Sequence, residues 1–282
     1  MRSLFIIPIA LSSAACSSSE DMAQNLGLQA EAVQSARAPQ PPAPPKQTQR
    51  TEFTDTATRN GAEREFTYSW PARVSAEASL VTLLTKERDE ELVAQKADWA
   101  EMLEVETGLP PGSSVYNRTD SVEWKVVADT PRFLSLSADG YTYSGGAHGI
   151  YGRRSLVWDR TKQEAMPATA LFRSTTALGY AVGGSVCDTL DVQREKRRGV
   201  SVDRAGGGMF DECPPMDDIV VFVGSSDGQT FDRLGFYFGP YVAGPYAEGS
   251  YEVDLPVTAS VLDAIKPDYR SAFALLTGKT GE

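Results

Sequence analysis

His148 is the one histidine in a chain of 282 residues. It stands in Tyr143-Ser144-Gly145-Gly146-Ala147-His148-Gly149. Imidazole is the side chain best suited to moving protons near neutral pH, so any acid–base chemistry is sought first around it. A nucleophilic triad would take Ser144 as nucleophile and an Asp or Glu as orienter. Ser144 lies in the same glycine-rich turn, and there is no Gly-x-Ser-x-Gly elbow. A metal site would combine His148 with Glu248 or Asp254, an oxygen-rich set of weak transition-metal specificity. Glycoside hydrolysis would need two carboxyl groups converging in a cleft, and Glu248 and Glu252 are the pair that shares a segment. The reading that asks least of these residues is structural. An imidazole in a glycine-rich turn can hydrogen-bond backbone carbonyls or the Tyr246 hydroxyl and lock two loops together. No metal and no cofactor is expected.

The second chemical signal is Phe236-Tyr237-Phe238-Gly239-Pro240-Tyr241-Val242-Ala243-Gly244-Pro245-Tyr246-Ala247-Glu248-Gly249-Ser250. An aromatic strand runs into a Gly/Pro loop carrying two tyrosines and a carboxylate. Loop tyrosines offer large contact area at low entropic cost, so Tyr241 and Tyr246 suit binding a protein surface or stacking on a sugar. Tyr143, His148, Tyr241, Tyr246 and Glu248 are therefore the candidate binding residues. A deep pocket joining a carboxylate pair to His148 would instead favour an enzyme.

These loops need a framework. Glu65 to Trp70 alternates as a half-buried strand, and Pro71 ends it. From Ser75 to Glu106, Leu80, Leu84, Leu92, Trp99 and Leu103 recur near multiples of 3.6, with Ser75 placed as N-cap. Strands follow at 122–127, at 132–138 with a turn beginning at Gly140, and at 155–159. Pro167 to Arg198 reads as helix interrupted near Gly183-Gly184, and Arg194 to Arg198 as its solvated basic end. Strands at 219–223, 235–238 and 252–256 precede a short helix from Val261 to Ile265. Locally paired strands with helices between them predict an α+β fold, a single domain with a mostly antiparallel sheet and packed helices.

The N-terminus reads as an address. Met1-Arg2-Ser3 precedes an apolar run to Leu11 and then small residues, the order of a secretory signal and too short to span a bilayer. Ser13-Ala14-Ala15-Cys16 resembles a bacterial lipobox, which implies a signal peptide over 1–15, lipidation of Cys16 and a membrane contact through that lipid. Ser17 after the cysteine points to the outer membrane, on the periplasmic side of the envelope. Residues 16–61 hold Pro39-Gln40-Pro41-Pro42-Ala43-Pro44-Pro45 and few large apolar residues, so a disordered Pro-rich tether is expected there. The folded domain is then 62–282. In an oxidising compartment the two remaining cysteines, Cys187 and Cys213, are expected to pair. The balance of 27 basic against 38 acidic residues, net −11, argues against nucleic acid as a partner.

The two motifs, in this order, resemble an extracytoplasmic bacterial domain family, PdaC/RsiV-like. It includes the sensor region of a lysozyme-responsive anti-sigma factor and the N-terminal, non-catalytic region of a peptidoglycan deacetylase. The family pattern Tyr-x-Gly-Gly-Ala-His-Gly corresponds to Tyr143 to Gly149. Its aromatic strand and Pro-Tyr pairs correspond to Phe236–Phe238, Pro240-Tyr241 and Pro245-Tyr246-Ala247, with Pro256 closing. The likeness covers about residues 62 to 270. This chain shows no sigma-binding tail and no deacetylase catalytic domain, so neither activity transfers. The resemblance implies a lipid-anchored envelope binding or sensor domain without catalysis, recognising a lysozyme-like cell-wall enzyme or peptidoglycan. Net acidity favours a basic enzyme as partner. The alternatives are a cell-wall hydrolase or lysozyme inhibitor using a cleft near His148 and Glu248, and a purely structural lipoprotein.

Overall fold

The computed structural model describes residues 50–105 and 107–276. The expected signal peptide, Cys16 and most of the expected tether lie outside the described residues.

Nine strands form two sheets. The larger has the order β1-β2-β3-β4-β5-β6, built from β1 (Thr51–Arg59), β2 (Ala62–Trp70), β3 (Arg118–Asp129), β4 (Phe133–Tyr143), β5 (Ile150–Asp159) and β6 (Glu164–Met166). The smaller joins β7 (Val220–Gly224), β8 (Arg233–Phe238) and β9 (Tyr251–Pro256). Every described strand pair is antiparallel except β2–β3. That parallel pair needs a long crossover, supplied by α1 (Ala72–Ser75) and α2 (Ala78–Leu103). The fold is the expected mostly antiparallel α+β arrangement.

The larger sheet buries both faces. Phe66, Tyr68, Trp124, Leu134, Leu136, Leu156 and Trp158 pack with Leu80, Leu84 and Leu92 of α2. Phe133 and Val157, one step along their strands and so pointing the other way, join a second core. That core holds Leu178, Val182, Val186 and Leu190 of α3 (Thr175–Arg198), strands β7–β9, and α4 (Ala259–Ala264). A β-bulge between Val126 and Ala128 changes the parity of β3: Val126 packs on the α2 side and Ala128 in the other core.

Four expectations are corrected. The folded region begins earlier than residue 62. β1 occupies Thr51–Arg59 and lies antiparallel on β2, so the last part of the expected tether is an edge strand. Its inward side chains have partners: Phe53 meets Phe66 edge to face with centroids 6.3 Å apart, and Asp55 pairs with buried Arg64. Ser75 ends α1 rather than capping α2, and its hydroxyl accepts from Trp70 Nε1 at 3.2 Å. Gly140 lies within β4, which continues to Tyr143 with no turn. α3 runs unbroken through Gly183-Gly184. Two helix glycines cost about 2 kcal/mol together, and the buried flanking residues Val182 and Val186 offset that.

Cys187 and Cys213 form a disulfide, with Cα atoms 5.6 Å apart. Closing this loop stabilises by roughly 3 kcal/mol in the chain-entropy picture. No helix among the described residues is long and apolar enough to cross a membrane.

Candidate functional site

The His148 turn explains its glycines. Gly145 has φ +88°, and a Cβ there would sit 2.6 Å from the Val115 carbonyl oxygen. Gly149 has ordinary φ, but a Cβ there would strike the ring of Tyr141. At Gly145 the backbone excludes a side chain; at Gly149 a side chain would require the exposed Tyr141 ring to swing away.

The turn meets the Pro245-Tyr246 loop directly. The His148 and Tyr246 rings stack with centroids 3.9 Å apart and planes 19° from parallel. Tyr246 Oη donates to the Gly149 carbonyl at 2.8 Å, and His148 Nδ1 lies 2.9 Å from the same oxygen. Two further rings join them. Tyr246 has Tyr151 at 5.7 Å and Tyr241 at 5.8 Å, centroid to centroid. Tyr241 is 52% exposed and Tyr141, on Gly149, is 38% exposed. The result is a raised aromatic surface built from two distant segments. His148 bridges them through the ring of Tyr246 and a backbone carbonyl.

The other candidates go elsewhere. Tyr143 Oη donates to Gly146 O at 3.0 Å, within its own turn. It lines a separate depression with Arg64, Asn117 and Arg118. Glu248 turns to Arg198, whose Nε donates at 3.0 Å, and to the Tyr251 hydroxyl. Burial alone would raise the Glu248 carboxyl, but those hydrogen bonds and the Arg198 charge outweigh it and hold it below the usual glutamate value. Glu252 pairs with Arg153 at 2.9 Å, and Asp254 with Arg233 at 2.5 Å. Each carboxylate is thus matched to its own arginine. Among the described residues there is no group of three or more His, Cys, Asp or Glu able to hold a metal.

What the sequence reading missed is the support beneath the loop. The end of α3 clamps the loop rather than ending free in solvent: Arg194 is buried and Arg198 half-buried, while Lys196 and Arg197 stay exposed. Arg194 is fully buried, donating to Ala243 O at 2.9 Å, Asp191 at 3.1 Å, Glu212 O at 3.2 Å and Asp211 O at 3.4 Å. Arg198 reaches Glu248, Asp211 and Ala243 O. Arg197 donates to Glu248 O at 2.6 Å and Ser250 O at 2.7 Å, and its guanidinium stacks 3.9 Å over Tyr251. Forked guanidinium groups satisfy several loop carbonyls at once, as a point charge cannot. The disulfide fixes the segment that carries Asp211 and Glu212, so it completes the clamp.

A groove of about 640 Å³ lies beside the aromatic surface, between α2 and the strands β3 to β5. Glu91, Gln95 and Asp98 line it from the helix; Asp120, Thr142, Ile150 and Arg154 line it from the sheet. Burial raises the Asp120 carboxyl above the usual aspartate value, with hydrogen bonds to Thr142 and Gln95 opposing it. Burial also raises Glu91, against the neighbouring Arg154. A carboxyl raised in the folded state contributes most when protonated, and that contribution is lost as pH rises through its folded value. Asp120→Asn is therefore expected to stabilise the protein at pH 7 and to raise its melting temperature. The gain should shrink as the pH is lowered into the carboxylate range. Calorimetric melting at pH 7 and pH 4 reads both; an equal or larger gain at pH 4 would contradict the assignment.

Residues 65–151 match the family model described as Deacetylase PdaC. The matched stretch takes in Tyr143 to Gly149 and stops short of the second aromatic motif. Solved structures similar to the chain include a DUF3298-family protein from Bacteroides fragilis, 17% identical, covering 79% of this chain and 95% of that one with a TM-score of 0.47. A DUF3298-family protein from Pseudomonas aeruginosa is 15% identical, covers 78% and 95%, and has a TM-score of 0.44. No curated protein matches. The similarity to the PdaC model is therefore confined to residues 65–151, which include the first of the two motifs.

Proposed function

We propose that the chain is a binding or sensor domain of the bacterial cell envelope, lipid-anchored through Cys16 and working without catalysis of its own. The observation that carries this reading is the surface formed by Tyr141, His148, Tyr151, Tyr241 and Tyr246. Exposed tyrosines on a braced loop suit contact, because the entropy of ordering them is spent on folding rather than on binding. The partner is a lysozyme-like cell-wall enzyme or peptidoglycan itself. A net charge of −11 favours encounter with a basic enzyme. Glu248 supports the same reading, since a carboxylate held ionised by Arg198 is poorly placed to act as a general acid.

Calorimetric titration of the full chain with hen lysozyme, and with solubilised peptidoglycan fragments, tests it. Tyr241→Ala removes an exposed ring and should leave Tm within about 1 °C, because a half-exposed side chain contributes little to stability. It is expected to weaken the saturable titration at least tenfold, the loss of about 1.4 kcal/mol typical of an aromatic anchor. Flat traces with both ligands, or equal affinity in the variant, would contradict the proposal.

A further inference from the structure

The groove beside the tyrosines has a floor without side chains. Val122, Gly140 and Gly152 are cross-strand neighbours on β3, β4 and β5, on the face that α2 covers. A Cβ at Gly152 would meet nothing within 4 Å, and one at Gly140 only the Gly152 carbonyl oxygen at 3.8 Å. Neither glycine has positive φ, so the backbone does not require glycine at either position. Glycine in a strand interior weakens the strand and marks places where another group approaches the backbone. Here the two open a space where neighbouring rows of the sheet are filled by Trp124, Leu136 and Leu156.

The lining is dense in donors and acceptors of both charges. Glu91, Asp98 and Asp120 face Arg118 and Arg154, while Arg153, one step along β5, turns to the other face of the sheet. Most of these are already spoken for: Arg154 with Glu91 at 2.8 Å, Arg118 with Asp98, and Arg153 with Asp139 at 2.7 Å. Asp120 is in none of the ion pairs among the described residues. Ile150, 51% exposed, adds an apolar contact at the mouth. An anionic ligand would have to displace the pairs that Arg118 and Arg154 already make. A neutral polyol needs to displace none: its hydroxyls can donate to carboxylates and accept from guanidinium groups while a ring face lies on the glycine floor.

We propose that the groove between α2 and strands β3–β5 binds a neutral saccharide. Asp120 and Thr142 hydrogen-bond its hydroxyls, and Gly140 and Gly152 leave room for its ring. The volume lies within the range of about 300–1,000 Å³ usual for small-molecule sites and admits a short oligosaccharide. The proposal shares a ligand class with the peptidoglycan arm of the reading above but assigns a different site. The raised Asp120 carboxyl is consistent with it, since a group that costs stability where it stands is one a ligand could satisfy.

The test is calorimetric titration of the full chain with chitotriose, cellotriose and spermidine, for wild type, Gly152→Val, Asp120→Asn and Tyr241→Ala. Valine suits a strand and fills open space, so Gly152→Val should keep its melting transition. Saturable binding of at least one sugar is expected, weakened at least tenfold by Gly152→Val and by Asp120→Asn but retained by Tyr241→Ala. Should Gly152→Val fail to fold, Asp120→Asn carries the test alone, since its melting temperature is expected to rise. The proposal is overturned if neither sugar binds wild type, if the groove variants bind as wild type does, or if spermidine alone binds. Sugar binding lost only in Tyr241→Ala would place the saccharide on the tyrosine surface and likewise overturn it.

Discussion

Arg194→Ala should lower stability by about 3–5 kcal/mol, the cost of a large buried truncation that also leaves buried carbonyls without a donor. Arg194 has no exposed surface and ties α3 to Ala243, to Asp211 and Glu212 of the disulfide-linked segment, and to Asp191. Truncation leaves three loop carbonyls without that donor and opens a cavity the size of an arginine stem. Asp191 would keep Arg204, so the charge itself is not stranded, and the loss comes from carbonyl desolvation and packing. At about 2–4 °C per kcal/mol the melting temperature should fall by about 10 °C. Arg204→Ala is the comparison: Arg204 is 40% exposed, and its ion pairs should be worth under about 1 kcal/mol. Equal, small shifts in both variants would mean that the α3 clamp is not what braces the Tyr241–Tyr246 loop. Arg194→Ala should also abolish binding, because Ala243 and the tyrosines around it lose their support.

The second large effect concerns the start of the domain. A chain beginning at residue 62 should fail to reach a stable native state, while one beginning at residue 47 should fold. Removing β1 strips Phe53 from Phe66 and exposes the edge of β2. It also takes Asp55 from Arg64, a side chain only 3% exposed that keeps Gln95 at 3.1 Å but no carboxylate. An uncompensated buried charge costs several kcal/mol, about 3–5 where such pairs have been broken. That is a large part of the total stability of a domain of this size, about 5–15 kcal/mol. Circular dichroism and size-exclusion chromatography of the two fragments decide it. Two equally cooperative melts would show that β1 is dispensable.

Much of the framework was readable from spacing. Leu80, Leu84, Leu92 and Trp99 are buried on α2 as their period requires, and β2 lies where Glu65 to Trp70 alternates. The disulfide followed from the expected oxidising compartment and from cysteine parity, and the glycines of the His148 turn from their density. β1 was missed because an edge strand needs little apolar character. Its four threonines were the signal that could have found it. The arginine clamp was missed for a different reason. Arg194 and Arg198 read as part of a solvated helix end because arginines are rarely buried, and only a folded loop bringing Ala243, Asp211 and Glu248 to them makes their burial favourable. The groove was equally invisible. Gly140, Gly152 and Asp120 are far apart along the chain, and strand register alone makes them neighbours. The His148–Tyr246 contact was anticipated as a hydrogen bond to the phenol. Instead the rings stack, and the phenol donates to the Gly149 carbonyl.

The most direct test of the binding surface is hydrogen exchange of the full chain, alone and saturated with hen lysozyme or solubilised peptidoglycan. The account predicts added protection in residues 143–151 and 239–250, the two segments that carry the stacked rings. Protection confined to other elements, or none with either ligand, would contradict it.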